Sequence, residues 1–196
     1  MTSFWHAFLP LFVAFDGIGL LPVFWTLTRP LTSSQRRRAV AEAVGTALLV
    51  AVGFAFVSRY ILALMGLELT DVMIAGGVIL IGLCLRELWM PETPPQGHYP
   101  SPGVVPLGVP LLTGPAVLTT VLLVRDQHGW PVTLLALAAN LALIWVTLWA
   151  SEGLMRRLGQ EGTSVISKIF NLILTAFGVM LIRQGLTAFG RHPTFP

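Results

Sequence analysis

Phe15-Asp16-Gly17-Ile18-Gly19-Leu20-Leu21-Pro22 and Pro106-Leu107-Gly108-Val109-Pro110-Leu111-Leu112-Thr113-Gly114-Pro115 each interrupt an apolar stretch long enough to cross a bilayer. Pro22 has no amide hydrogen and clashes with the carbonyl four residues back, while Gly17 and Gly19 make unwinding cheap. Lipid tolerates a broken backbone only where protein or a water-filled cavity covers the freed polar groups. Two such interruptions at matching places in two halves of a chain point to the binding site of a transporter.

The rest of the chain supplies the membrane. Of 196 residues, 55% are hydrophobic and 11% charged, with a mean hydropathy of +0.78, whereas a soluble domain carries about 25% charged residues. The net charge of +3 comes from arginines between apolar segments, so it speaks to topology and implies no nucleic-acid partner. A lone cysteine, Cys84, excludes an intrachain disulfide, a two-thiol shuttle and a cysteine metal cluster, and is read as packing. His6, His98, His128 and His192 have no ligand spacing, so no metal site is expected. The opening Met1-Thr2-Ser3-Phe4-Trp5-His6 lacks the basic region of a signal peptide and is read as the start of the first membrane helix.

At roughly 20 residues per crossing, the pattern predicts an all-α polytopic membrane protein with six transmembrane helices. They span about 4 to 27, 39 to 65, 70 to 90, 104 to 124, 131 to 151 and 166 to 190. The chain is a single transmembrane domain, 1 to 196, of two half-repeats, about 1 to 90 and 104 to 196, joined by a Pro-rich linker, 91 to 103. Three crossings per half is an odd number, which predicts a 3+3 inverted repeat with broken first and fourth helices. Asp16 precedes Arg86 by 70 positions, and Thr113 precedes Arg183 by the same 70.

Loops one, three and five are assigned Arg29, Arg36, Arg37, Arg38, Arg86, Arg156, Arg157 and Lys168, against Arg59, Arg125, Arg183 and Arg191 on the other side. Because basic loops stay in the cytoplasm, both termini are expected outside. Trp5, Trp89, Trp130 and Trp149 fall near predicted helix ends, as an aromatic belt requires. Gly45, Gly53, Gly76, Gly77 and Gly178 are read as smooth surfaces for close helix crossing.

The expected site comprises Asp16, Gly17, Gly19, Pro22, Thr113, Gly114 and Pro115. A half-helix beginning after each break presents unpaired amides to an anionic group such as a carboxylate. Thr113 is read as an N-cap, with Pro115 in the first turn that follows. Asp16 is a carboxylate inside a predicted crossing, where charge is expensive. It fits four roles: a contact for a substrate ammonium, a coupling-ion ligand, a proton carrier, or a cap for the second half-helix. Arg86, Glu87 and Arg183 are candidate gating residues or snorkelling anchors. Asn140 and Asn171 are candidate path-lining residues or interhelical hydrogen-bonding glue.

The stretch Asp16 to Phe24 resembles the Asp-Pro-x-Gly-Asn-x-Pro-x-Phe signature of the MarC family of bacterial and archaeal membrane proteins. Pro106 to Ala116 is similar to its second signature, Pro-Leu-Ala-x-Pro-Leu-x-x-Gly-Pro-Gly, and Ile74-Ala75-Gly76-Gly77 to its third-helix glycine pair. Gly17 stands in place of the motif proline, Leu20 in place of its asparagine and Ala116 in place of its final glycine. The resemblance covers essentially the whole chain. It implies the LysE-type transporter superfamily, a cell (inner) membrane location and transport of small neutral amino acids.

The resulting expectation is a transporter working by alternating access around a midplane site, with the lipid bilayer and a small-molecule substrate as its partners. No cofactor is expected, and the coupling ion is a proton or sodium. No second acid, histidine or cysteine accompanies Asp16 in the bilayer, so an enzyme is not expected. A packing or assembly protein and a passive channel are the competing readings. A homo-oligomer, formed through lipid-facing helices, is left open.

Overall fold

The computed structural model describes residues 2–89 and 102–189, which are 91% helical and contain no strand. The helices are α1 (Thr2–Phe15), α2 (Leu21–Thr28), α3 (Ser33–Met65), α4 (Leu69–Trp89), α5 (Pro115–Trp149) and α6 (Ser151–Phe189), with a π-helical stretch at Gly103–Leu112. Among the described residues, three helical segments are each long and apolar enough to cross a membrane: α3, α5 and the Glu161–Phe189 part of α6. Residues 90–101, which include most of the 91–103 linker and His98, lie outside the described residues, as do Arg191 and His192; so do the side chains of Arg59 and Glu87.

Local chemistry sets the boundaries. Helix α3 begins six residues before the expected position 39 because Thr32 and Gln35 form a capping box. The Gln35 amide donates to Thr32 Oγ1 at 3.3 Å and the Thr32 amide to Gln35 Oε1 at 2.9 Å, which satisfies two amides that would otherwise lack partners. The Arg36 to Arg38 cluster is therefore helical rather than loop. Helix α3 ends at Gly66, whose φ of 68° suits glycine. Helix α5 is broken at Gly129 (φ 74°, ψ 173°) just before Pro131, and α6 at Gly159 (φ 65°, ψ −176°). Helix α6 thus starts earlier than the expected 166, and Lys168 lies inside it rather than in loop five.

Neighbouring residues define the direction of each pass. Gly103 and Gly108 lie against Ala39 and Thr46 of α3, and Arg125 reaches the Ala55 carbonyl, so 103–128 runs alongside α3 in the same direction. The chain reverses at Gly129. Residues 130–149 then return toward the start of α3, where Glu152 pairs with Arg36 at 3.5 Å. Helix α4 is antiparallel to α6: Gly77 abuts Gly178, and Ile74 abuts Gly185.

In lipid, helices gain little from apolar burial against each other and associate by close packing of small residues. Gly76, Gly77 and Gly178 behave as expected, since a Cβ at Gly178 would lie 2.9 Å from the Gly77 carbonyl oxygen. Gly45 and Gly53 do not: nothing lies within 4 Å of a Cβ built at either. The close face of α3 is instead a row of alanines four residues apart, Ala39, Ala43, Ala47, Ala51 and Ala55, all buried. Four residues bring a helix just past one full turn, so the row forms one continuous ridge.

Candidate functional site

At the first break, α1 stops at Phe15 and Asp16 takes a φ of 38°, a left-handed conformation that is uncommon outside glycine but tolerated by Asp. One tight turn follows, closed by Leu20 N to Asp16 O at 3.0 Å and Leu21 N to Ile18 O at 3.1 Å. Asp16 Oδ1 accepts from the Gly19 amide at 3.0 Å, and Oδ2 accepts from Ser167 Oγ of α6 at 2.7 Å. A Cβ at Gly19 would sit 2.7 Å from Asp16 Cγ and 2.5 Å from Ser167 Oγ, so only glycine fits beneath this carboxylate. Pro22 lies in the first turn of α2, where its missing amide costs nothing. Asp16 does not cap α2, because Leu20 stands at that position without a side-chain bond. The carboxylate closes the turn and ties it to α6.

At the second break, Gly103–Leu112 carries extended residues at Val105 and Val109, each before a proline, as the steric demand of the proline ring requires. Thr113 is not the N-cap. Its hydroxyl turns back to the Gly108 carbonyl at 2.7 Å, and Gly114 (φ −68°, ψ 171°) occupies the capping position before Pro115. The amides that open the second half of this pass therefore have no side-chain cap. Both breaks border one buried cluster: Val13 and Ala14 before the first and Ala116 after the second pack on Met73, Leu80, Cys84, Leu123, Leu174 and Leu181.

The remaining expected residues are spread out. Gly17 adjoins Ile144, with a built Cβ at 3.3 Å from its Cγ1. Asn140 is 1% exposed, and its Nδ2 donates to the Phe8 carbonyl at 3.2 Å and the Ala136 carbonyl at 2.8 Å, so it joins α5 to α1. Asn171 is buried on α6, one turn beyond Ser167. Arg86 is exposed in the last turn of α4, and Arg183 is exposed on α6, next to Ile182, which packs on Gly77 of α4. These two arginines do not meet.

Charged contacts instead gather at the two ends. At one end, Arg36 lies 5.2 Å over the Trp25 ring and pairs with Glu152, which Arg156 also holds at 3.0 Å. At the other, Arg125 lies 4.5 Å over the Trp130 ring beside a cavity of about 500 Å³ lined in part by Leu62, Leu67, Asp126 and Gly129. Sequence reading did not single out Ser167, Glu152 or Trp25. The i, i+4 spacing of Ser167 and Asn171 was the available signal, since it places two polar residues on one face of α6.

The profile of the MarC family of integral membrane proteins matches residues 1–189. The chain belongs to the MarC family. It is 29% identical over 183 residues to the UPF0056 inner membrane protein YhgN of Escherichia coli (strain K12), covering 90% of this chain and 92% of that one. A UPF0056 membrane protein of Buchnera aphidicola subsp. Schizaphis graminum is 28% identical over 190 residues, covering 93% and 95% of the two chains. The UPF0056 membrane protein MJ0972 of Methanocaldococcus jannaschii is 28% identical over 195 residues, covering 92% and 85%. No solved structure matches. This MarC-family chain is thus a membrane protein in which both family signatures fall on helix breaks. Leu20, standing in place of the signature asparagine, is 7% exposed in the apolar core, so the turn that carries Asp16 is backed by packing at that position.

Proposed function

We propose that this MarC-family chain is a transporter of small solutes, with neutral amino acids as its substrate class, working by alternating access around the two broken helices. The observation that carries this reading is that both breaks border one buried cluster, with α1 ending and α5 beginning there. The uncapped start of α5 favours a carboxylate, and the Asp16 carboxylate at the first break suits an ammonium, a proton or sodium.

The packing supports six crossings arranged as an inverted repeat. Exchanging the halves maps 2–28 onto 103–128, α3 onto 130–149, and α4 onto α6. Under that exchange the contact of α1 with the 130–149 arm becomes that of 103–128 with α3, and the α4–α6 contact maps onto itself; all three contacts are present. The passes begin and end so that Arg29, Arg36, Arg37, Arg38, Arg156 and Arg157 share one end, which this reading places in the cytoplasm with the termini outside. Rocking of the halves would break the Arg36–Glu152 pair. No cofactor or catalytic step enters this scheme.

Uptake of radiolabelled glycine and alanine into proteoliposomes, with and without proton and sodium gradients, tests the proposal. Wild type is expected to give saturable, gradient-dependent uptake that Asp16→Asn abolishes and Ser167→Ala reduces. Flux without saturation would favour a passive channel, and no uptake above empty liposomes under any gradient would remove the amino-acid assignment.

A further inference from the structure

The cavity of about 500 Å³ at the C-terminal end of α3 includes no residue of either break. Leu62, Leu67, Leu122 and Trp130 form its apolar wall, and Arg125 and Asp126 are its charged side chains. Leu122 lies at the bottom, 4% exposed, while Leu67 at the mouth is 40% exposed, so the space is reached from the surface. Asp126 is exposed and Arg125 half-buried. The Arg125 guanidinium lies 4.5 Å over the Trp130 ring and gives one N–H to the Ala55 carbonyl. A guanidinium has five such donors, so most of them are still to be used. Among the described residues no carboxylate pairs with Arg125 and no cation with Asp126, and the two do not pair with each other.

One cavity thus offers a fixed cation and a separate anion, each without a counter-charge, which is the complement of a zwitterion. The end of α3 strengthens the anionic side, because the C-terminus of a helix carries a partial negative charge. The Leu62 and Ala63 carbonyls, on residues that line the cavity, accept only the Leu67 amide at 2.9 Å and the Gly66 amide at 3.3 Å, and each keeps a second lone pair. A primary ammonium can donate to these groups and to Asp126 together. A quaternary ammonium has no proton to give, and the aromatic face it would need is already covered by Arg125. Size separates a lipid from a free amino acid. A void of about 150 Å³ already holds a benzene ring, so a small amino acid leaves most of this one empty. Ile61, Leu64 and Met65, exposed on the last turns of α3, continue the apolar surface beyond the mouth.

We propose that this cavity binds one phospholipid of the surrounding bilayer by its phosphoethanolamine headgroup, with the phosphate on Arg125 and the ammonium between Asp126 and the end of α3. The acyl chains then leave past Leu67 along the exposed apolar residues of α3. The site needs α3 to cross a bilayer, which its length and hydropathy allow, and it needs no transport step. A chain that moves no solute keeps it.

The test is native mass spectrometry of the full chain in detergent, titrated with phosphatidylethanolamine, phosphatidylcholine and phosphatidylglycerol of identical acyl chains. One phosphatidylethanolamine per chain is expected, bound about tenfold tighter than either of the others, the ratio that a hydrogen bond to a charged group supplies. Asp126→Ala, at an exposed position with no partner to lose, should bring phosphatidylethanolamine down to the level of phosphatidylcholine and leave phosphatidylcholine unchanged. Leu67→Trp, which fills the mouth, should weaken all three. Free O-phosphoethanolamine and alanine, added at the concentration of the lipid, should displace none of it. Equal affinity for the three headgroups in wild type, a preference that survives Asp126→Ala, or undiminished binding to Leu67→Trp would each overturn the proposal. Displacement by either free zwitterion would overturn it too, by assigning the site to a soluble ligand.

Discussion

Asp16 is held from two directions: by the Gly19 amide, three residues away, and by the Ser167 hydroxyl on α6, 151 residues away. The local half of this arrangement is legible in the sequence, because an acidic residue before Gly-x-Gly-x-x-Pro within an apolar stretch announces a turn. The distant half is not, since nothing near Ser167 marks it as the partner of a residue in the first helix. The same geometry makes Gly19 the least replaceable position of the turn. Gly19→Ala introduces a methyl group between Asp16 Cγ and Ser167 Oγ, and overpacking of this kind costs about 1–3 kcal/mol. The thermal midpoint of the detergent-solubilised protein should fall, and uptake should fall with it. A midpoint equal to that of wild type would mean that the turn opens easily and that the carboxylate does not fix it.

At the scale of elements, the apolar segments and both breaks could be read from composition and from proline and glycine, whereas the face that α3 presents could not. Glycine suggests close approach, but Gly45 and Gly53 look onto open space while the alanine ridge from Ala39 to Ala55 takes the contact. Alanine is common in any apolar helix, so its four-residue period carries weight only once a neighbour is seen against it. Two substitutions separate the faces. Ala47→Leu places a branched side chain on a fully buried position and should destabilise by about 1–3 kcal/mol. Gly45→Ala meets nothing within 4 Å and removes a flexible residue from a helix interior, which is worth about 0.5–1 kcal/mol in favour of the fold. Thermal unfolding followed by intrinsic fluorescence should show opposite shifts, and shifts of the same sign would mean that the ridge is not the packing face.

At the scale of the whole molecule, the reversal at Gly129 turns one long apolar helix into two antiparallel arms. Length and hydropathy alone count α5 as a single crossing. Gly129-Trp130-Pro131 breaks it, and the Arg36–Glu152 pair records that the chain has come back. If the reversal stands across a bilayer, Ser34 at the start of α3 and Gln127 just before the turn must lie on opposite sides. Both are exposed, and the single native cysteine, Cys84, is buried, so a membrane-impermeant maleimide meets little background. In intact cells Gln127→Cys should be labelled and Ser34→Cys protected until the membrane is opened, because the proposed orientation puts the arginines beside Ser34 in the cytoplasm. The reverse pattern would keep the passes and invert the orientation. Equal labelling of both positions in intact cells would place the two ends on one side, and with them would go the alternation of passes on which an inverted repeat depends.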